Sequence, residues 1–121
     1  MLSIFHLTTY AQQNSTVDCT AGPVSTTFCY DTGSDNSYTF TSNDGTPLNL
    51  TIDEGQVENN WDELVIRDSD GTELYNGYGN VGDISGLTFQ SSGDSIEFEV
   101  VEDGSISCVS VSYTHLRAHE T

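Results

Sequence analysis

The chain has 121 residues, with two Arg, no Lys and nineteen Asp or Glu, for a net charge of −17 at pH 7. Nucleic acids and anionic membrane surfaces are bound through cations that displace counterions, so this composition excludes both. It favours cationic partners instead: metal ions, or the Lys and Arg side chains of other proteins.

From the N-terminus, MLSIFHLTTYA carries Leu2, Ile4, Phe5 and Leu7 in a short apolar run followed by Thr9-Tyr10-Ala11. The run is far shorter than the roughly twenty apolar residues a membrane span needs. Residues 1–11 are expected to be an incomplete signal peptide, which makes the mature domain residues 12–110 and its location secreted or extracellular. Cys19 and Cys29 bracket the turn-rich TAGPVSTTF. A disulfide between them would close a small loop, worth about 2–3 kcal/mol through restriction of the unfolded chain, and suits an exported domain with a modest core. Cys108 is then odd, its partner expected in further sequence; the rival pairing of Cys108 with Cys19 or Cys29 stays open.

Strand periodicity follows. YTFTS (38–42), PLNLTID (47–53), DELVIRD (62–68), GLTFQ (86–90) and SIEFEVV (95–101) alternate apolar and polar residues. Leu48, Leu50 and Ile52 share one face, as do Ile96, Phe98 and Val100. Between these segments lie the turn formers NDGT, DSDGT, SSGDS and EDGS, and no stretch has helical period. The pattern predicts one all-β domain, an antiparallel β-sandwich or jelly roll. Five Phe, six Tyr and one Trp set in such patterns argue against the disorder that high charge favours.

Several acidic groupings could carry chemistry. Glu97 and Glu99 flank Phe98 and point to one side of a strand; a solvated face explains them better than paired catalytic carboxylates. DTGSDNS (31–37) and DSDG (68–71) lack the closing Glu of a twelve-residue calcium loop and read as turns. His6 is the only His before residue 115, so no Ser/His/Asp set is available and no catalytic residue is expected. Asn14 and Asn49 begin Asn-x-Ser/Thr sequons.

Trp61-Asp62-Glu63-Leu64, Asp70-Gly71, the Ser-rich approach to the apolar strand ending at Val100, and Asp103-Gly104-Ser105 together resemble a CUB-like domain, of the kind found in secreted multidomain proteins, including cell-surface proteins of gliding bacteria. The resemblance covers about residues 19–108. It implies a calcium ion held at one end of the sandwich by one Glu and two Asp: Glu58, with Glu54 as rival, Asp62, and Asp103 with the Ser105 carbonyl. It further implies a secreted, non-catalytic binding or adhesion module, recognising protein through basic side chains, or glycan, at a cell surface. The alternative is an accessory or prodomain-like module of an exported hydrolase whose catalytic domain is missing.

The last eleven residues, VSYTHLRAHET (111–121), hold one of the two Arg and two of the three His. They resemble the translation of a transposase-end sequencing adaptor. On that resemblance residues 111–121 are a scar to be set outside the fold, the natural chain is expected to continue past Val109 or Ser110, and the sandwich is expected to lack its last strand. His115 and His119, whose spacing on a helix would present two imidazoles to zinc, are for the same reason given no role.

Overall fold

The computed structural model describes residues 13–29, 36–103 and 114–120. They form strands β1 (Gln13–Val17), β2 (Val24–Phe28), β3 (Ser37–Ser42), β4 (Leu48–Glu54), β5 (Glu63–Asp68), β6 (Glu73–Gly77), β7 (Thr88–Gln90), β8 (Ser95–Val101) and β9 (Thr114–Glu120), and no helix is present among the described residues. One sheet has the order β1-β3-β8-β5-β6 and the other β2-β9-β4-β7. β1 pairs with β3 in parallel; the other ladders are antiparallel. The expected β-sandwich is therefore the architecture.

Alternation does the sorting. On β4, Leu48, Leu50 and Ile52 are fully buried while Asn49 and Thr51 between them are half-exposed. The facing sheet supplies Phe40, Leu64, Ile66, Ile96, Phe98 and Val100 to the same core. Each such side chain contributes about 1.5–3 kcal/mol by leaving water, and this burial is what holds the sheets together. An aromatic group closes one end: the Phe28 ring meets Phe98 at 5.2 Å between centroids, 71° apart, and Tyr38 at 6.4 Å, 88° apart. Both are edge-to-face arrangements, the favoured geometry for aromatic quadrupoles.

Two expectations are corrected. Thr114–Glu120 is not outside the fold: β9 lies between β2 and β4, and among the described residues it is the only strand that β2 pairs with. Thr114, Leu116 and Ala118 point inward and are buried, with His115, Arg117 and His119 turned outward. The slot between two strands asks only for period-two alternation with small or apolar inward residues, and THLRAHE supplies it. As a strand, β9 also separates His115 from His119 by about 13 Å at 3.3 Å per residue, too far to share one zinc. The second correction concerns the cysteines. Cys19 is a free thiol, and Cys29 is held in a disulfide whose other half lies outside the described residues. Residues 19 and 29 are instead separated by β2, so the intervening span is not the small loop it looked like. The signal-like residues 1–11 and Cys108 lie outside the described residues.

DSDG is a turn, as read from the sequence. Gly71 N donates to Asp68 O at 2.9 Å, and Asp68 N to Thr72 O at 2.8 Å. The Asp68 carboxylate then reaches across to the SSGDS turn: Ser92 Oγ donates to Oδ2 at 2.7 Å, and the Ser92 and Ser69 amides donate to Oδ1 at 2.9 and 2.7 Å. The Ser92 hydroxyl and amide, with the Ser69 amide, hold its pKa down to about 2. These bonds tie two turns at the end of the sandwich where β5 finishes and β8 begins.

Leu116→Ala is expected to destabilise the fold by about 2–4 kcal/mol in denaturant unfolding, the cost of a cavity in a packed core, while Arg117→Ala on the outward face costs less than about 1 kcal/mol. Equal and negligible effects would put the segment outside the fold. Asp68 gives a pH signature. A carboxylate whose folded pKa is depressed adds stability above its unfolded pKa of about 3.9, and loses it as pH falls toward about 2. The melting temperature of Asp68→Asn should lie below that of the unsubstituted protein at pH 7, and the gap should close between pH 4 and pH 2.

Candidate metal centre

The opposite end of the sandwich is built from the segment joining β4 to β5, the segment joining β6 to β7, and the residues after β8. Two of these segments are laced together. Val57 N donates to Gly82 O at 2.8 Å and Ile84 N to Gly55 O at 3.1 Å, and Gln56 bridges to Asp83. The contact requires glycine at position 82: φ is +92°, and a Cβ there would lie 2.6 Å from Val57 O. Two other residues on this end, Asn60 at φ 69° and Val81 at φ 53°, adopt the left-handed region without being glycine. For a β-branched residue that is an outlier, held in place by its surroundings.

Within this frame the chain turns tightly ahead of β5. The amides of Trp61 and Asp62 donate to Glu58 O at 3.2 and 3.0 Å, which folds Glu58 and Asp62 onto one side of a single helical-type turn, four residues apart. Asp62 is fully buried, at 0% exposure. Its Oδ1 accepts the Asp103 amide at 3.0 Å, a bond that pins the exit of β8 to the entrance of β5. The result is a cluster in which carboxylate oxygens of Glu58, Asp62 and Asp103 all lie within 4.8 Å of one another.

That spacing fits one hard cation. Oxygens bound to calcium sit at about 2.3–2.6 Å, so two ligands of one ion stand at most about 5 Å apart. Three carboxylates make an all-oxygen donor set of the kind calcium takes. Glu54, the rival for the third carboxylate, is elsewhere: it is exposed at the end of β4, with Oε2 at 3.8 Å from His115 Nε2. Ser105 lies outside the described residues.

The other acidic groupings resolve differently. Glu97 and Glu99 are not simply solvated, because both accept from one Arg67 Nη1, at 2.9 and 2.5 Å. A carboxylate pair neutralised by a shared guanidinium is poorly suited to acid–base work. Cys19, Asp44 and Glu120 also fall within 4.8 Å of one another. Partial burial, helped by Asp44 and Glu120, pushes the Cys19 thiol up to about 11, so at neutral pH the sulfur stays protonated and donates toward Asp44 Oδ1 at 3.2 Å. It does not offer calcium the hard oxygens that the first cluster does.

Sequence reasoning did not foresee how much apolar surface adjoins the acidic end. Trp61 is 65% exposed and Val81 74% exposed. A signal existed at Trp61, since it stands one residue before the strand alternation begins, between the turn-forming Asn59-Asn60 and the acidic Asp62-Glu63. Val81 had none, because its exposure depends on a backbone angle that the sequence does not display.

No protein-family model matches the chain, and no curated protein matches it. Solved structures do. The chain is similar to the full extracellular region of zebrafish Gpr126/Adgrg6, at TM-score 0.67 and 17% identity over 92% of this chain and 15% of that one. It is also similar to the MASP-1 CUB2 domain in a crystal structure bound to Ca2+, at TM-score 0.60 and 15% identity over 92% of this chain and 98% of that domain. The chain thus spans a small part of the first protein and nearly the whole of the second. At these identities the likeness establishes the fold: a CUB-like β-sandwich.

Proposed function

We propose that this chain is a non-catalytic extracellular binding module whose recognition end is organised by calcium. The observation that carries the reading is the cluster of Glu58, Asp62 and Asp103, with oxygens within 4.8 Å of one another around a fully buried Asp62. Without a cation, three carboxylates so close repel one another. Calcium, which prefers six to eight hard oxygens, offsets that repulsion. Glu58, Asp62 and Asp103 would hold the ion, and the CUB-like resemblance adds the Ser105 carbonyl as a further ligand. The two similar structures support the setting, one being an extracellular region and the other a calcium-bound domain.

Recognition would then proceed by charge and anchor. Three carboxylates against one divalent cation leave a net negative site, so a carboxylate fixed by the ion can accept a hydrogen bond from a partner's Lys or Arg. Trp61 on the same turn offers the large rigid apolar surface that interfaces use as a hot spot. Protein with exposed basic side chains is the partner class this favours, with glycan stacking on Trp61 as the other; a surface-exposed Trp accommodates either. The long reach of a −17 charge also speeds encounter with a basic partner at low salt.

Calorimetric titration with calcium tests the site. Binding with a Kd of roughly 0.1–1 mM or tighter is expected, the range of extracellular modules, and calcium should raise the melting temperature. Asp103→Ala and Glu58→Gln should each abolish the heat, whereas Trp61→Ala should leave it unchanged. Asp62→Ala serves as a further variant where it folds. No binding in the millimolar range, or binding indifferent to Asp103 and Glu58, would overturn the reading.

A further inference from the structure

Among the described residues the sandwich has four edge strands: β1 and β6 in one sheet, β2 and β7 in the other. A free edge presents unpaired N–H and C=O groups and invites another chain to pair, which proteins prevent with charge, proline or very short strands. β6 carries Glu73, and β7 is only three residues long. β1 (QNSTV) and β2 (VSTTF) have neither protection: each is five residues without a charge or a proline. The turn at 18–23 joins them, and they occupy matching ends of the two sheets, so one flank of a chain with net charge −17 is bordered by uncharged strands. Inward from β2, the neighbouring strand turns His115 and Arg117 outward beside Thr27 and Ser25.

We infer that the chain self-associates through β2, two copies pairing the free edges of their β2 strands antiparallel about a two-fold axis to join their four-stranded sheets into one. The occupant is a second copy, and not a basic peptide, because VSTTF offers no carboxylate to hold a cation, and like-charged molecules approach each other at lowest cost where each is neutral. The composition suits a ladder, since Val24, Thr26, Thr27 and Phe28 all have high strand propensity, and a two-fold axis makes the patch self-complementary. β1, with Gln, Asn and Ser, is the weaker pairing strand. Among the described residues no strand pairs with the outer edge of β2. A ladder of this length makes a small interface, so association is weak and concentration-dependent.

Sedimentation equilibrium on the full chain in EDTA tests the inference apart from calcium. The weight-average mass should rise from 13.1 kDa toward twice that across the micromolar range. It should rise further at high salt, because the opposing term is repulsion between two acidic bodies and salt screens it. Ser25→Glu with Thr27→Glu, on exposed outward positions, sets like charges across the two-fold axis and should leave the protein monomeric with a melting temperature within a few degrees. Ser25→Glu alone, which keeps the bond between Thr27 Oγ1 and His115 Nδ1, covers the case where the double variant misfolds, and should weaken association at least tenfold. A monomer at both salt concentrations, a dimer that weakens with salt, or a dimer unmoved by the folded variants would each overturn the inference.

Discussion

A folded chain with nineteen carboxylates and two guanidinium groups must place negative charge at almost every turn without losing compactness. Much of this is solved locally. Asp18, Asp44, Asp70 and Asp83 each accept the amide of the residue two positions on, Thr20, Thr46, Thr72 and Ser85. Such Asx turns give the charged form backbone donors, and the pKa values of all four are lowered by the amide and hydroxyl of that residue, the Thr46 hydroxyl leading at Asp44 and the amide at the other three. At Asp18, Asp44 and Asp70 these bonds follow within two residues of a strand's end, so residues that carry the charge also set the turns. Where two carboxylates fall side by side on β8, Arg67 reaches over from β5 and serves both. Asp62 is the departure from this economy: it is buried, and it stands in a cluster with two more carboxylates. Buried charge costs stability unless something compensates it, and the calcium proposed above would supply such compensation.

The fold was legible where the alternation involved large apolar side chains. β4 and β8 could be read almost to the residue, because Leu48-Leu50-Ile52 and Ile96-Phe98-Val100 allow only one period. β1, β2 and β6 were missed, since QNSTV, VSTTF and ELYNG lack a repeated bulky residue and lie at sheet edges, where only one side of the strand needs a partner. β9 is the reverse case. Thr114, Leu116 and Ala118 have the alternation in plain view, and the segment was set aside because of what its codons resemble. A strand slot responds to side-chain pattern alone, so the origin of a segment does not bear on whether it can occupy one.

The site was legible in part and for a different reason. Asp62 and Asp103 are forty-one positions apart, and no periodicity brings them together; the resemblance named them, and the sheet order β8-β5 makes them neighbours. Glu58 could not be separated from Glu54 in the sequence because the decision rests on the turn that donates the Trp61 and Asp62 amides to Glu58 O, and on the departure of Glu54 along β4 toward His115. Cysteine pairing failed similarly. Sequence distance suggested a loop between Cys19 and Cys29, but β1 and β2 belong to different sheets, and a strand intervenes between the two sulfurs.

The two ends and the flank of the sandwich answer to separate demands. The end with Asp68 is closed by hydroxyl and amide donors and needs no ion. The end with Asp62 gathers carboxylates beside Trp61 and Val81, and its segments are fixed to one another by backbone bonds through Gly55, Val57 and Gly82. β2 runs along the flank, with only its Phe28 terminus directed toward the Asp62 end. Pairing through β2 would therefore leave both recognition ends uncovered and would double them on one particle. For a weak site that arrangement matters more than any added contact, because a second engagement at an extended surface becomes intramolecular and raises avidity by orders of magnitude. On the proposed function, the uncharged edge and the acidic end would serve one purpose: charge would keep the modules apart except where joining them strengthens what the charged end holds.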